Sequence, residues 1–302
     1  MTSDAGAPAT IAVVGVGNIG GVVAATLCAA QRHAVVACVR HDGLRSLRLE
    51  RPEGDVTVSV PTLTDPGTAP VVDWVLLCTK AHQTASAAPW LRRLAGPRTR
   101  IAVLQNGIAH AQRVAPFAGP ATIVPTIVYF NGERTSAGCV RMRHASAVDL
   151  AVADDATGRA FARLFESTPF TVTTSADFAT LAWRKLLLNV AANPITALTG
   201  QRQAVLRRDD IRALCVAIFD EAIAVAQAEG ARMGKSESAD ALATLMNYPA
   251  EAGTSMYFDR LAGRPLEAEA LTGPIVEGGL RHGIPTPINA ALLALLRAID
   301  RA

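Results

Sequence analysis

Ile11-Ala-Val-Val-Gly15-Val-Gly17-Asn18-Ile19-Gly20 is the stretch on which the fold turns. Four apolar residues run straight into three glycines at the G-x-G-x-x-G spacing, and Val22 to Ala30 then reads as a helix. A dinucleotide site requires strand, tight turn and helix in that order. Gly15 permits the turn, Gly17 lets the backbone approach a pyrophosphate, Gly20 lets helix and strand pack, and the unpaired N–H groups of the first helical turn face the anion. Asn18 and Ile19 complete the turn and are assigned with the glycines to the cofactor. A merely flexible glycine turn is the bland alternative, and the flanking strand and helix weigh against it.

Outward from that turn, apolar β-type runs recur at Ala34 to Val39, Val71 to Cys78, Ile101 to Leu104 and Ile123 to Val128, with helical stretches between them. Such alternation predicts a parallel sheet covered by helices, an α/β domain. After the β-type run Phe170 to Thr174 the texture changes to helices alone. Asp209 or Asp210 can cap one that runs to Gly230, and Thr286-Pro287 opens another through Ile299. The chain of 302 residues is long enough for roughly two domains of about 150. We expect a dinucleotide-binding domain over 1–174 and an all-helical substrate and catalytic domain over 175–302.

Composition excludes several classes. A net charge of +3 with dispersed arginines does not describe a nucleic-acid surface, although it suits a small anionic substrate. No apolar run reaches the ~18 residues of a membrane span, and Met1 to Thr10 lacks the basic start of a secretory signal, so a cytoplasmic enzyme is expected. Five cysteines, odd in number and without a Cys-x-x-Cys pair, support neither disulfides nor zinc. The six histidines show no ligand spacing, and no metal site is expected. The apolar helix Ala290 to Leu296 can pack within one core or across a homodimer interface.

Three features carry chemistry. Arg40 ends the second β-type run, where an NAD-specific protein usually places a carboxylate on the ribose. With Arg45 and Arg48 nearby it can pair with a 2′-phosphate, which favours NADP, whereas the bland reading is a solvated arginine. Two other strand ends, Cys78-Thr79-Lys80 and Gln105-Asn106-Gly107, point polar residues at the same crevice; Lys80 and Asn106 suit a nicotinamide ribose or a neighbouring carboxylate, or merely cap the next helix. The third is Lys185, one of only three lysines against twenty-six arginines, which heads Lys185-Leu-Leu-Leu-Asn189-Val-Ala-Ala-Asn193. Residues i, i+4 and i+8 share one helical face, so a polar stripe interrupts an apolar segment, for a ligand or for an interhelical network. Pro194 is expected to end or bend that helix.

These motifs in this order, together with Trp183-Arg184-Lys185, Asn193-Pro194, Thr254-Ser255-Met256 and Glu267, resemble the ketopantoate reductases (2-dehydropantoate 2-reductases) over nearly the whole chain. The resemblance implies an NADPH-binding Rossmann domain joined to a helical domain, with a 2-keto acid substrate in the cleft between them. It also implies Lys185 as general acid, with Asn189, Asn193 and Ser255 as substrate ligands. Lys80 and Asn106 would be cleft residues near the cofactor, and Glu267 a cofactor-side carboxylate. The chemistry agrees on the lysine. Hydride delivery to a 2-keto carbon leaves an alkoxide, to which an ammonium can donate its proton. The chain departs from the family pattern at Ala252, Thr272 and Gln203, where asparagine is usual, and at Tyr129-Phe130, where small residues are common. Those departures suggest a reshaped pocket. A related 2- or 3-hydroxyacid dehydrogenase and a non-catalytic NADP-sensing protein remain the alternatives.

Overall fold

A computed structural model of the chain describes residues 7–300, so residues 1–6 of the Met1 to Thr10 stretch read above lie outside the described residues. The chain divides into two compact units. One runs through Asn106 and resumes over His110–Phe178; the other comprises Gly107–Ala109 and the chain from Ala179 onward.

The first unit is built on a six-stranded, wholly parallel sheet. Its spatial order is β5 (Thr62–Leu63), β2 (Ala34–Cys38), β1 (Thr10–Val14), β6 (Trp74–Leu77), β7 (Arg100–Val103) and β8 (Thr122–Pro125). Within this sheet the chain builds outward from β1 in one direction and then, from β6, in the other. This is the 3-2-1-4-5-6 order of a dinucleotide-binding sheet, with its switch point between β1 and β6. Side chains alternate as a two-faced sheet demands. Ile11, Val13, Trp74 and Leu76 enter one core with helix α1 (Asn18–Ala30). Ala12, Val14, Val75 and Leu77 enter the other with α2 (Ala88–Leu94) and α3 (His110–Ala118).

The sequence reading missed what covers α1. The connection from β2 to β5 carries a hairpin, β3 (Ser46–Glu50) and β4 (Val56–Ser59), which joins β10 (Asn131–Ser136) and β11 (Cys139–Arg143) in a four-stranded sheet. α1 lies against it so closely that a Cβ on Gly21 would meet Val140 Cγ1 at 2.7 Å. Arg48 sits on β3 and is paired with Asp55 at 2.7 Å, which leaves Arg40 and Arg45 as the arginines of that corner outside any ion pair among the described residues.

The expected run Ile123 to Val128 is two strands. Pro125 has no N–H to continue the ladder of β8, and Ile127–Val128 (β9) turns to pair with β12 (Leu150–Ala153), which also pairs with β13 (Val172–Ser175). Phe130 corrects another expectation. It adds no aromatic volume to a pocket; its ring is buried in this unit's core, 5.2 Å from Phe170, near α4 (Ala156–Arg163) and its Phe161.

The second unit is helical: α5 (Phe178–Thr199), α6 (Asp209–Ala228), α7 (Glu237–Met246), α8 (Ser255–Leu261), α9 (Ala268–Leu271), α10 (Gly273–His282) and α11 (Pro287–Ile299). α5 neither ends nor breaks at Pro194. An internal proline costs about 3 kcal/mol, but Val190 to Ala197 are all buried, and seating that whole turn in the core outweighs the local penalty. Asp209 and Asp210 lie inside the first turn of α6, one and two residues past its N-cap Arg208, and Asp210 Oδ1 accepts the first-turn N–H of Ile211 at 2.9 Å. α11 does begin after Thr286, yet its cap is remote. Glu221 of α6 accepts the N–H groups of Ile288 and Asn289, both at 2.9 Å. Leu292, Leu293 and Leu296 of α11 are buried in the helical core of the same chain, while Leu295 is exposed. Among the described residues no helix is long and apolar enough to cross a membrane.

Candidate active site

Each unit carries its own group of candidate residues. In the first, β1 delivers the chain to Gly15, whose φ of +93° is a conformation glycine alone adopts freely. A Cβ there would stand 2.7 Å from Thr79 N, so the turns after β1 and β6 meet at the switch point. Gly20 is as tightly placed, since its Cβ would fall 2.1 Å from Gly15 O and 2.8 Å from Cys78 Cβ. Gly17 differs. Nothing lies within 4 Å of its would-be Cβ, and it caps α1 with no side-chain hydrogen bond and no acidic residue in the first turn. The helix therefore presents N–H groups and the positive end of its dipole to open space, a cradle that fits the pyrophosphate of a dinucleotide. Asn18 is exposed, but its Oδ1 already accepts the N–H of Arg134 at 3.0 Å, which ties the turn to β10. Ile19 follows it on α1, packed against the first unit's core.

Arg40 follows β2 and is exposed to solvent, where a 2′-phosphate can reach it. Lys80 and Asn106 follow β6 and β7. Lys80 N donates to Gln83 Oε1 at 3.3 Å, and Asn106 O accepts from Arg113 Nη2 at 3.4 Å. Between them stands Gln105, buried, with its side chain hydrogen-bonded to Thr79, Thr84 and Arg113. The sequence reading assigned nothing to His110 and Arg113, because their partners are brought in by the sheet order and not by chain proximity.

In the helical unit, α5 carries Lys185, Asn189 and Asn193 on one side. Lys185 keeps some solvent access, yet protein surrounds its ammonium, and this burial lowers its pKa from 10.5 to about 8. A lysine so placed holds its proton at neutral pH and releases it readily, as a general acid must. Asn193 is 4% exposed and fully engaged. Its Nδ2 donates to Asn189 O at 3.2 Å and Oδ1 at 3.3 Å, while its own Oδ1 accepts from Ser255 Oγ at 3.2 Å and Met256 N at 3.1 Å. The family resemblance implies a substrate contact for Asn193; the geometry makes it the pin that fixes Asn189 to the start of α8. Thr254 caps that helix through Tyr257 N and bonds Thr196 of α5 at 2.7 Å. Ser255 and Asn189 are the accessible members of the corner. Glu267 is buried at the head of α9.

The departures at Gln203 and Thr272 have a structural signature. Gln203 Oε1 and Thr272 Oγ1 are buried without a hydrogen-bond partner, and Gln203 N donates to Ala252 O at 2.9 Å. Among the described residues no group of three or more acidic, histidine or cysteine side chains is placed to hold a metal ion.

Comparison with known proteins matches both units. Residues 11–155 fit the ketopantoate reductase PanE/ApbA family, and residues 177–300 fit its C-terminal domain. A 2-dehydropantoate 2-reductase of Mycobacterium tuberculosis is 39% identical over 290 residues, covering 95% of this chain and 97% of that one. The enzyme of that name from Caulobacter vibrioides is 36% identical over 292 residues, with 96% and 98% covered. Among solved structures, a ketopantoate reductase of Staphylococcus aureus described as dimeric superposes with a TM-score of 0.84 at 28% identity, covering 96% of this chain and 98% of its own. A parallel sheet of dinucleotide-binding order, a helical unit bearing the Lys185 stripe, and relatives of matching length together make this chain an oxidoreductase of the ketopantoate reductase family.

Proposed function

We propose that the protein reduces 2-dehydropantoate (ketopantoate) to pantoate with NADPH, the reductive step toward pantothenate. The observation that carries this reading is Lys185, a buried ammonium with its pKa near 8 on the same helix as Asn189 and Asn193. Bound NADPH supplies the hydride. Gly15, Gly17, Asn18, Ile19 and Gly20 hold its pyrophosphate through backbone N–H groups, and Arg40 pairs with the 2′-phosphate. Lys80, Asn106 and Glu267 serve the nicotinamide end, and Lys80 is also assigned to the substrate carboxylate. Asn189 and Ser255 hold the keto acid, and Asn193, whose side chain is already engaged, supports them by fixing Asn189 against the start of α8. As C2 gains hydride, negative charge grows on the carbonyl oxygen; Lys185 Nζ stabilises it and donates a proton, leaving a neutral lysine to be reprotonated from water. General-acid help of this kind is worth ~100 to 10,000-fold.

The domain assignment follows from the same reading, with the cofactor on 1–174 and the substrate groups on 175–302. The enzyme works as a homodimer, supported by the relative described as dimeric and by the exposed Leu295 on α11, and it acts in the cytoplasm, where its five free cysteines stay reduced. A different 2-keto acid is the second reading, favoured by Ala252 and by the unpartnered Gln203 Oε1.

The test is NADPH oxidation by purified protein across a panel of 2-keto acids led by ketopantoate, repeated with NADH and with Arg40→Ala. Fastest turnover with ketopantoate, and an NADPH preference that Arg40→Ala abolishes, is expected. Turnover of another acid alone moves the substrate assignment, and NADPH binding without any turnover favours a sensor.

A further inference from the structure

Hydrogen bonds at the ends of β6 and β7 form a set whose directions are forced. Arg113 has donors only, so the Gln105 atom 3.0 Å from its Nε is the amide oxygen. Nε2 of Gln105 therefore donates, to Thr79 Oγ1 at 3.0 Å and to Thr84 Oγ1 at 3.0 Å. Thr84 Oγ1 accepts on a lone pair while its own hydroxyl proton points to Ala81 O at 2.8 Å, with Gln105 Oε1 a longer acceptor at 3.3 Å. The main-chain carbonyl of Gln105 accepts from His110 Nε2 at 2.8 Å, and burial, which lowers the pKa of His110 to about 4, keeps that ring neutral with its proton on Nε2.

Thr79 and Thr84 bracket Lys80, and Asn106 is the next residue after Gln105. One buried amide thus grips both ends of the turn that carries Lys80 while its own backbone carries Asn106. We propose that Gln105 is a positioning residue, whose side-chain amide touches no reactant and holds Lys80, beside Asn106 on the neighbouring backbone, where it binds the dinucleotide. This rests on the cofactor role given above to those two residues. A buried amide left half-satisfied is costly, so the set holds one arrangement or comes apart as a unit. Losing the two Nε2 bonds is expected to weaken NADPH binding about tenfold, the rest of their loss falling on folding.

The experiment is a double-mutant cycle in NADPH binding, read from NADPH fluorescence on the full chain, with Gln105→Leu, Lys80→Ala and the pair. Positioning predicts that Gln105→Leu weakens binding about tenfold alone and less than about twofold once Lys80 is gone. An equal loss in both backgrounds, or none in either, overturns it. Should Gln105→Leu fail to fold, Thr79→Val removes one arm only; it is expected to weaken NADPH about threefold with the same dependence on Lys80, and wild-type affinity overturns the proposal. A wild-type protein that binds NADPH but reduces no keto acid removes the catalytic reading and leaves the cycle to decide this one. One that binds no NADPH overturns both.

Discussion

Raising the pH through the range in which Lys185 ionises is the sharpest perturbation of the proposed mechanism. Burial lowers its pKa from 10.5 to about 8. The reduction needs the protonated form, so kcat/KM is full below pH 8 and falls tenfold per unit above it, while the reverse oxidation gains over the same range. With a pKa near 8, about nine tenths of the lysine is protonated at pH 7 and about one hundredth at pH 10, a fall of roughly ninetyfold. An unshifted lysine would keep about three quarters of its protons at pH 10 and lose almost nothing. The assay is kcat/KM for the keto acid at saturating NADPH from pH 6 to 10.5. The chain's lysines number three, Lys80, Lys185 and Lys235, so side-chain nitrogen NMR of the free protein can follow each directly. A profile flat to pH 10, or a Lys185 signal titrating above 10, refutes the reasoning.

Gly17→Ala and Gly20→Ala should separate binding from folding. The first meets open space and leaves the unfolding free energy within about 0.5 kcal/mol while weakening NADPH binding, whereas the second drives a methyl into Gly15 O and costs ~1–3 kcal/mol as well, both measurable by urea unfolding and NADPH titration. Asn193→Ala should destabilise the fold by ~1–3 kcal/mol because Met256 N loses its acceptor; Ser255→Ala, at an exposed site, should leave stability unchanged and raise KM for the keto acid. The pKa of His110 is depressed in the fold from 6.5 to about 4, so the unfolded chain binds the extra proton between those values. Its stability contribution is present above pH 6.5 and lost as pH falls toward 4, by about 3 kcal/mol, and His110→Gln should lack that part of the pH dependence in urea unfolding.

Periodicity made much of this architecture legible. The central strands β1, β6 and β7 are buried on both faces of a parallel sheet, and such strands announce themselves as continuous apolar segments, although Val71 at the head of its run is exposed and lies before β6. The β3–β4 hairpin escaped notice for the opposite reason. Its strands alternate buried and exposed residues over a few positions, Leu47 and Leu49 inward and Arg48 outward, too short a pattern to distinguish from a charged loop. Local rules failed where tertiary packing overrode them, as at Pro194 inside α5, and where a cap arrives from another element, as Glu221 does for α11. Within the candidate site the glycine turn and the lysine stripe are visible as spacings because each is one short continuous stretch of chain. The Gln105 set is not, since its hydrogen bonds join residues up to 26 positions apart in the chain. Phe130 shows how little a residue's type reveals of the direction in which it packs.

The central claim is a hydride delivered to C2 of ketopantoate, and deuterium follows it most directly. Purified protein should be incubated with ketopantoate and NADPH carrying deuterium at both C4 positions, and the pantoate formed weighed by mass spectrometry. The account predicts product one mass unit heavier than that formed with unlabelled NADPH, with the deuterium on C2. Unlabelled pantoate, or NADPH bound with no pantoate formed, would contradict it.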